Sequence, residues 1–282
     1  MANDIGRPGM EKRRERILVV GNGKSGTTAL YFRIKKSLPG DAAGFFEPVC
    51  FEEIEKSAPQ LGHTIAKVLL PVEAGFLEQL GAFFNKKILI VRDPRDIIVS
   101  SLLYTGAYEV MWKRKPEQIL ECLDLLRTKE TNPFSLPVIA LLQRLLDKAD
   151  LTGYADWISH RVSFTVRLSE NPSFFLFKYE DLITDRLSSL EDYLGFPLTS
   201  DTDIDKEFSR VVRTKKSASW KDWFLEEDIE FFKPLFAESI RKFDYDQDWS
   251  LNAEWKILPA HSSEYFRRLV NERRSLEGLP QV

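Results

Sequence analysis

Between Arg16 and Leu38 the chain reads RILVVGNGKSGTTALYFRIKKSL, and no other stretch restricts the fold as much. Ile17 to Val20 is a short apolar run closed by Gly21. Beyond the loop the apolar spacing turns helical, with Ser25, Thr27 and Thr28 at its start to cap it. A strand that feeds a glycine-containing loop into a helix leaves backbone N–H groups and the positive end of the helix dipole facing the loop, an arrangement that favours an anion. Gly21, Gly23 and Gly26 permit close backbone approach, Lys24 adds a point charge, and the hydroxyls add donors. A phosphate-type anion site is therefore expected, against the plainer reading of an ordinary capped helix. A Walker A loop, G-x-x-x-x-G-K-[ST], would put a glycine six residues before Lys24, where Leu18 stands. The ATP reading is short by one glycine.

The rest of the chain repeats the unit. Residues 62–71, GHTIAKVLLP, and 86–93, KKILIVRD, read as two more buried strands, with the amphipathic EAGFLEQLGAFF between them. SFFLFKYEDL supplies a fourth strand and the start of a helix. Strands alternating with helices predict an α/β fold with a central parallel sheet covered by helices. In DPRDIIVSSLLY, Pro94 takes a favoured early helical position. From Thr105 to about Asn171 the pattern is almost wholly helical, including 116–127 and 136–146, with breaks near Asn132, Pro133 and Gly153. This segment is read as an insert over the mouth of the sheet. From Ser200 onward the pattern is mixed, with a long helix expected from Glu226 to Phe243. The expected organisation is one domain over 1–282: a core at 15–104, the helical insert at 105–171, and a C-terminal half at 172–282.

Composition narrows the partners. Forty Lys and Arg against 43 Asp and Glu leave a net charge of -3, so no basic field of the kind used for nucleic acid is present, and any anion site must be local. Two cysteines, Cys50 and Cys122, are too few for a disulfide framework and lack metal-ligand spacing. MANDIGRPGMEKRRER has no apolar core of a secretory signal, and no later stretch reaches membrane-spanning length. A soluble, cytoplasmic protein is expected, with the basic cluster Lys12, Arg13, Arg14 and Arg16 as a solvated lead-in to the first strand.

Two further constellations carry chemistry. In VRDPRDIIVSS, Arg92 ends an apolar strand and Ser100 lies eight residues on, inside the next helix; a turn between them aims both at the crevice where open α/β sheets bind ligands. A planar, permanently charged guanidinium there suits a second phosphate, although Arg92 taken alone reads as an ion-pair partner of Asp93 or Asp96. In RTKKSASWKDWF, Arg213, Lys215 and Lys216 are placed to close over an anion, while Trp220 and Trp223 read as core.

These three segments, in this order, resemble the sulfotransferases that use 3′-phosphoadenosine 5′-phosphosulfate (PAPS), whose fold is a P-loop-like three-layer sandwich. KSGTT at 24–28 is similar to that family's 5′-phosphosulfate loop. Arg92 and Ser100 match the arginine and serine that hold the 3′-phosphate, and YEDL at 179–182 looks like a segment whose tyrosine, here Tyr179, lies near the adenine. Arg213, Trp220 and Lys221 match the R-K-G-x-x-G-x-W-K segment, but Thr214, Lys215 and Ser217 or Ala218 stand where lysine and glycines are usual. Ala29 stands where cytosolic members carry tryptophan, which places the chain nearer the carbohydrate, protein-tyrosine or bacterial type. The PAPS contacts implied by the resemblance are Gly23, Lys24, Ser25, Gly26, Thr27, Thr28, Arg92, Ser100, Tyr179, Arg213, Lys215 and Lys216.

Sulfuryl transfer is an in-line displacement in which charge builds on the leaving phosphate, so the site needs cations there and a base on the acceptor hydroxyl. Lys24 takes the leaving-group position, and no metal is required. For the base the resemblance implies two candidates: Glu47, in FFEP, where members acting on carbohydrate or protein tyrosine often place a glutamate, and His63, in LGHTIAK, since histidine is the base in the cytosolic branch. Flanking Phe45, Phe46 and Pro48 are expected to desolvate Glu47 and raise its pKa. His63 has no matching motif around it. Lys67 is a further candidate to line the pocket. Other readings are a P-loop kinase with Asp93 on magnesium, and an inactive nucleotide-binding regulatory protein on the same fold. The acceptor is a small-molecule, lipid or glycan hydroxyl.

Overall fold

β1 (Arg16–Asn22) is covered on both faces because successive strand side chains point opposite ways. Ile17 and Val19 enter one core, Leu18 and Val20 the other. In this computed structural model, which describes residues 15–40, 42–58, 62–147 and 150–282 and not the side chain of Glu207, β1 is the middle of the sheet. Lys12, Arg13 and Arg14 of the basic lead-in lie outside the described residues.

After β1 come α1 (Thr27–Ser37), β2 (Ala43–Phe46), α2 (Phe51–Ser57), β3 (Thr64–Leu70), α3 (Ala74–Phe83), β4 (Lys86–Val91) and α4 (Pro94–Thr105). A π-helical turn (Gly106–Val110) and a 3-10 turn (Met111–Lys113) follow, then α5 (Pro116–Thr131), α6 (Val138–Leu145), α7 (Leu151–Ser169), β5 (Phe175–Lys178), α8 (Tyr179–Ile183) and α9 (Ser188–Leu194). The chain closes with α10 (Glu226–Lys242) and α11 (Ser263–Leu276). The five strands are parallel, in the order β2-β3-β1-β4-β5.

β2 is one strand more than the sequence suggested. Its four residues are too short for a period to show, and it exists through pairing with β3, from Ala43 opposite Thr64 to Phe46 opposite Lys67. Gly153 does not break the helix: Asp150 caps α7 by accepting the N–H groups of Thr152 and Gly153 at 3.0 and 3.2 Å, which puts Gly153 in the first turn. α11 was not anticipated, although Tyr265, Phe266, Leu269 and Val270 form a readable apolar stripe.

Two cores flank the sheet, giving three layers. The smaller holds Leu30, Tyr31, Phe32 and Ile34 of α1 with Leu182 of α8 and Leu190 of α9. The larger runs from Ile98 and Leu102 of α4 through Leu123 and Leu126 of α5, Leu141 and Leu145 of α6, and Ile158 of α7 to Phe232 of α10 and Phe266 of α11. Within 105–171, then, α5 and α6 are core helices, and α7 alone among these α-helices carries several residues along the cleft described below. Cys50 and Cys122 are free thiols. Among the described residues no helix is long and apolar enough to cross a membrane.

Candidate active site

The loop between β1 and α1 opens at the carboxyl ends of the strands, into a cleft of about 1560 Å³. That exceeds the roughly 300–1,000 Å³ of an ordinary small-molecule pocket and leaves room for two substrates. Lys24 adopts a left-handed conformation at φ 69°, and Gly26 follows at φ 91°. Gly26 has a second reason to lack a side chain, since a Cβ there would sit 2.4 Å from Cδ2 of Tyr179. No side chain caps α1, so its amino end faces the cleft through Gly26, Thr27 and Thr28. Gly23 also lines the cleft. Ser25 does not: its hydroxyl and its N–H both donate to the Asn22 carbonyl, at 2.7 and 3.1 Å, and the side chain is buried. The residue braces the loop, which corrects its expected place among the anion donors.

Three cations converge on this loop. Arg92 donates to the Lys24 carbonyl at 3.0 Å and the Lys216 carbonyl at 3.4 Å, and its guanidinium stacks 4.3 Å from the Tyr179 ring centroid. The nearest Asp96 oxygen is 4.0 Å away. Arg213 is buried and donates to the His261 carbonyl at 3.3 Å and Ser219 Oγ at 3.1 Å. Nε of both arginines is buried without a partner. Lys24 Nζ donates to the Val211 carbonyl at 3.1 Å and lies 3.8 Å from the Tyr104 ring centroid. Burial, then Arg92, Arg213 and Lys67, hold the Lys24 pKa well below that of a free lysine. Burial, then Arg92, brings Arg213 down to about 10. A cluster of cations pushed toward their neutral forms is a site short of negative charge.

Around them, Ser100 is buried and lines the cleft. Tyr179 lines it too, its hydroxyl donating to the Thr214 carbonyl at 3.4 Å while burial raises its pKa. Lys215 reaches the rim and donates to Thr202 Oγ1 at 3.1 Å. Lys216 points to solvent and offers only its carbonyl, to Arg92, so the expectation that its side chain closes over the anion fails.

The candidate bases separate. His63 lies before the amino end of β3, and its Nδ1 accepts the Glu15 N–H at 3.2 Å. At about 3.3 Å per residue it sits some 20 Å from the carboxyl end of that strand, where the cleft opens. That position removes His63 as a base. Glu47 follows β2 at φ 55°, its N–H donating to the Lys67 carbonyl at 2.9 Å and its Oε1 accepting from Lys67 Nζ. Its side chain is 42% exposed, so the desolvation expected from Phe45, Phe46 and Pro48 is absent. Lys67 is buried, lies 4.0 Å from the Phe46 ring centroid, and has its pKa lowered by burial and only partly restored by Glu47.

Residues 14–202 match the family model described as a sulfotransferase domain. The chain belongs to that family. Among solved structures, mouse sulfotransferase SULT7A1 complexed with PAP is similar at 21% identity and a TM-score of 0.50, over 82% of this chain and 86% of that one. Retinol dehydratase in complex with androsterone and inactive cofactor PAP is similar at 15% identity and a TM-score of 0.45, over 85% and 84%. At these identities the likeness is one of fold. No curated protein sequence matches the chain.

The chain thus carries a sulfotransferase domain, and the kinase reading falls with its key residue. Both Asp93 oxygens are held by Arg95, at 2.8 to 3.2 Å, and Oδ1 also caps α4 by accepting the Arg95 N–H at 2.9 Å. Several residues of this sulfotransferase cleft escaped sequence reasoning. Glu109, from the π-helical turn, lines it with a pKa raised by desolvation against the pull of Lys24. Asn22 donates to Thr165 Oγ1 of α7 at 2.9 Å, and Tyr154, Trp157 and Arg161 continue that helix along the cleft. Their helical spacing is visible in the sequence; which face meets the loop is not.

Proposed function

We propose that the β1–α1 loop with Lys24, Arg92, Ser100 and Arg213 holds PAPS, and that Glu47 takes the proton of the acceptor hydroxyl. The observation that carries this reading is the set of three cations at an uncapped helix end, Arg92 and Arg213 each with an orphaned Nε, and Lys24 and Arg213 with pKa values lowered by burial and by neighbouring cations. These residues fit a ligand with separated phosphate groups. PAPS supplies the sulfuryl group and a phosphate as leaving group. Lys24 stabilises the charge that grows on that phosphate, and Arg92 with Ser100 anchors the second one eight residues along α4. Lys67, fixed in the sheet, holds the Glu47 carboxylate in place for the incoming hydroxyl. As the acceptor oxygen bonds to sulfur and the bond to the leaving phosphate breaks, the hydroxyl proton passes to Glu47. Lys215 completes the rim, and the α7 face forms the acceptor side. A reducing cytoplasmic location is in keeping with the two free cysteines.

Labelled-sulfate transfer from PAPS to a panel of phenols, sterols and sugars tests this. Glu47→Gln is expected to lower kcat by roughly 10²- to 10⁴-fold, the usual contribution of a general base, while binding of 3′-phosphoadenosine 5′-phosphate (PAP) stays unchanged. Full activity in Glu47→Gln with loss in Glu109→Gln would transfer the role to Glu109. Absence of a PAP-induced rise in Tm would overturn the donor site itself.

A further inference from the structure

One face of α7 runs outward from the donor loop. Thr165 sits at the inner end, hydrogen-bonded to Asn22, two residues before Lys24. At about 5.4 Å per turn, Arg161 lies roughly one turn and Trp157 two turns farther out along the helix. The three side chains Tyr154, Trp157 and Arg161 form a stack: the two rings are 5.7 Å apart at 18°, and the guanidinium carbon is 4.6 Å from the Trp157 centroid. Trp157 is 49% exposed, although it lines the cleft. With Tyr154 and Arg161 stacked on it, Trp157 turns an exposed apolar edge to the cleft, a surface against which an apolar body can pack.

Arg161 is the unusual member. It is half-buried in the cleft wall, and burial lowers its pKa. Among the described residues no carboxylate pairs with it and no acceptor takes a hydrogen bond from its guanidinium, which lies over the face of Trp157 and within electrostatic reach of Tyr154. The acids near it are engaged elsewhere. Asp147 pairs with Arg114, Asp150 caps α7, and Glu47 pairs with Lys67. Glu109 acts on Lys24. A desolvated charge without a partner is unfavourable unless a ligand supplies one.

We propose that the sulfuryl acceptor joins an apolar body, which packs against the exposed edge of Trp157, to an anionic group, carboxylate or phosphate, which pairs with Arg161. The inference rests on the sulfuryl-transfer reading of the same cleft and deepens it by naming the acceptor class. The acceptor is held along α7 with its hydroxyl toward Lys24 and Glu47, its apolar body against Trp157 and its anion at the Arg161 guanidinium, which lies over the same ring. Arg161 is a specificity residue, and the donor loop does not depend on it.

The test uses the full chain and three matched probes: 6-hydroxy-2-naphthoate, its methyl ester, and 2-naphthol. Affinities are measured by calorimetry with the protein saturated in PAP and again without PAP. The naphthoate is expected to bind about tenfold or more tightly than either neutral probe, the usual worth of a hydrogen-bonded charge. In Arg161→Gln that preference is expected to fall below about twofold with PAP affinity unchanged, and Trp157→Ala is expected to weaken all three probes alike. Equal affinity for charged and neutral probes in the unaltered protein would overturn the proposal without any variant being needed. So would a preference that survives Arg161→Gln, and loss of PAP affinity in that variant would assign Arg161 to the donor instead. Failure of PAP to bind the unaltered protein is read separately, and would sink the donor reading while the PAP-free comparison still judged this one.

Discussion

Lys24 shows how a single residue trades stability for function. Its ammonium is held near Arg92, Arg213 and Lys67, and burial adds to the penalty on its charge. A lysine whose folded pKa lies below its unfolded value of 10.5 costs stability while protonated, and that cost is relieved as pH rises through the folded value. The contribution of Lys24 to the stability of the free protein therefore improves with pH between its lowered pKa and 10.5. An incoming phosphate reverses the balance and draws a proton onto Lys24. At a pH above that lowered value, PAP binding is expected to take up protons, so its calorimetric enthalpy measured there will differ between buffers in proportion to their ionisation heats. Lys24→Met should raise the Tm of the free protein, remove that proton uptake, and lower sulfuryl transfer by roughly 10²- to 10³-fold. An enthalpy independent of buffer would contradict the assignment. At this scale the sequence marks Lys24, Gly26, Arg92 and Arg213 by their spacing within short segments, and the structure brings all four to one cleft. Ser25 and Lys216 were misread because side-chain direction inside a loop is set by the turn, which residue type does not reveal.

Among the elements, the segment from Arg213 to Trp220 is held less by its own sequence than by α4. Asp96, fully buried, accepts from the Ala218 N–H at 2.7 Å, Ser219 Oγ at 2.9 Å and the Trp220 N–H at 3.0 Å. One carboxylate thus fixes the loop that carries Arg213. Ala218 stands at φ 58°, ψ 19°, where the family pattern has a glycine. The three hydrogen bonds to Asp96, from this residue and the two after it, hold its left-handed backbone in place. Ala218→Gly is expected to raise stability by about 0.5–1 kcal/mol, the strain of a left-handed alanine less the extra unfolded-state freedom of glycine. Urea unfolding checks it; a lower midpoint would mean that the strain lies elsewhere. The departures from the family motif were visible in the sequence. That the fold tolerates them was not, since the compensation comes from Asp96, more than a hundred residues upstream. β2 and Glu47 belong here too: a four-residue strand has no period of its own and is made by its neighbour.

On the scale of the molecule, the insert and the C-terminal half hold each other. Asp228, in the first turn of α10, accepts the N–H groups of Val138 and Ile139 at 2.8 Å and of Leu225 at 2.9 Å, so one buried carboxylate caps both α6 and α10. The larger core is continuous from α4 through α5, α6 and α7 to α10 and α11. Asp228→Ala leaves three N–H groups without their acceptor and is expected to cost about 3 kcal/mol, at one to three kcal/mol per buried group with partial relaxation. The loss should appear as one cooperative transition at a lower midpoint, because both helices unfold with the core. A separate early transition for 105–171 would show that the insert is an independent unit.

The sequence by itself determined the local chemistry: a strand, a glycine-bearing loop with Lys24 and a helix, repeated as α/β alternation, with Arg92, Ser100 and Arg213 at readable spacings. Backbone propensity and helix-end electrostatics act over a few residues, so they can be read from a few residues. Tertiary structure alone decided which candidate base faces the cleft, that a part-exposed Glu47 meets a buried Lys67, and that Arg161 is left on α7 without an acid. Those outcomes depend on desolvation and charge pairing between segments far apart in the chain, and such terms acquire a value only once the parallel sheet has brought the segments together.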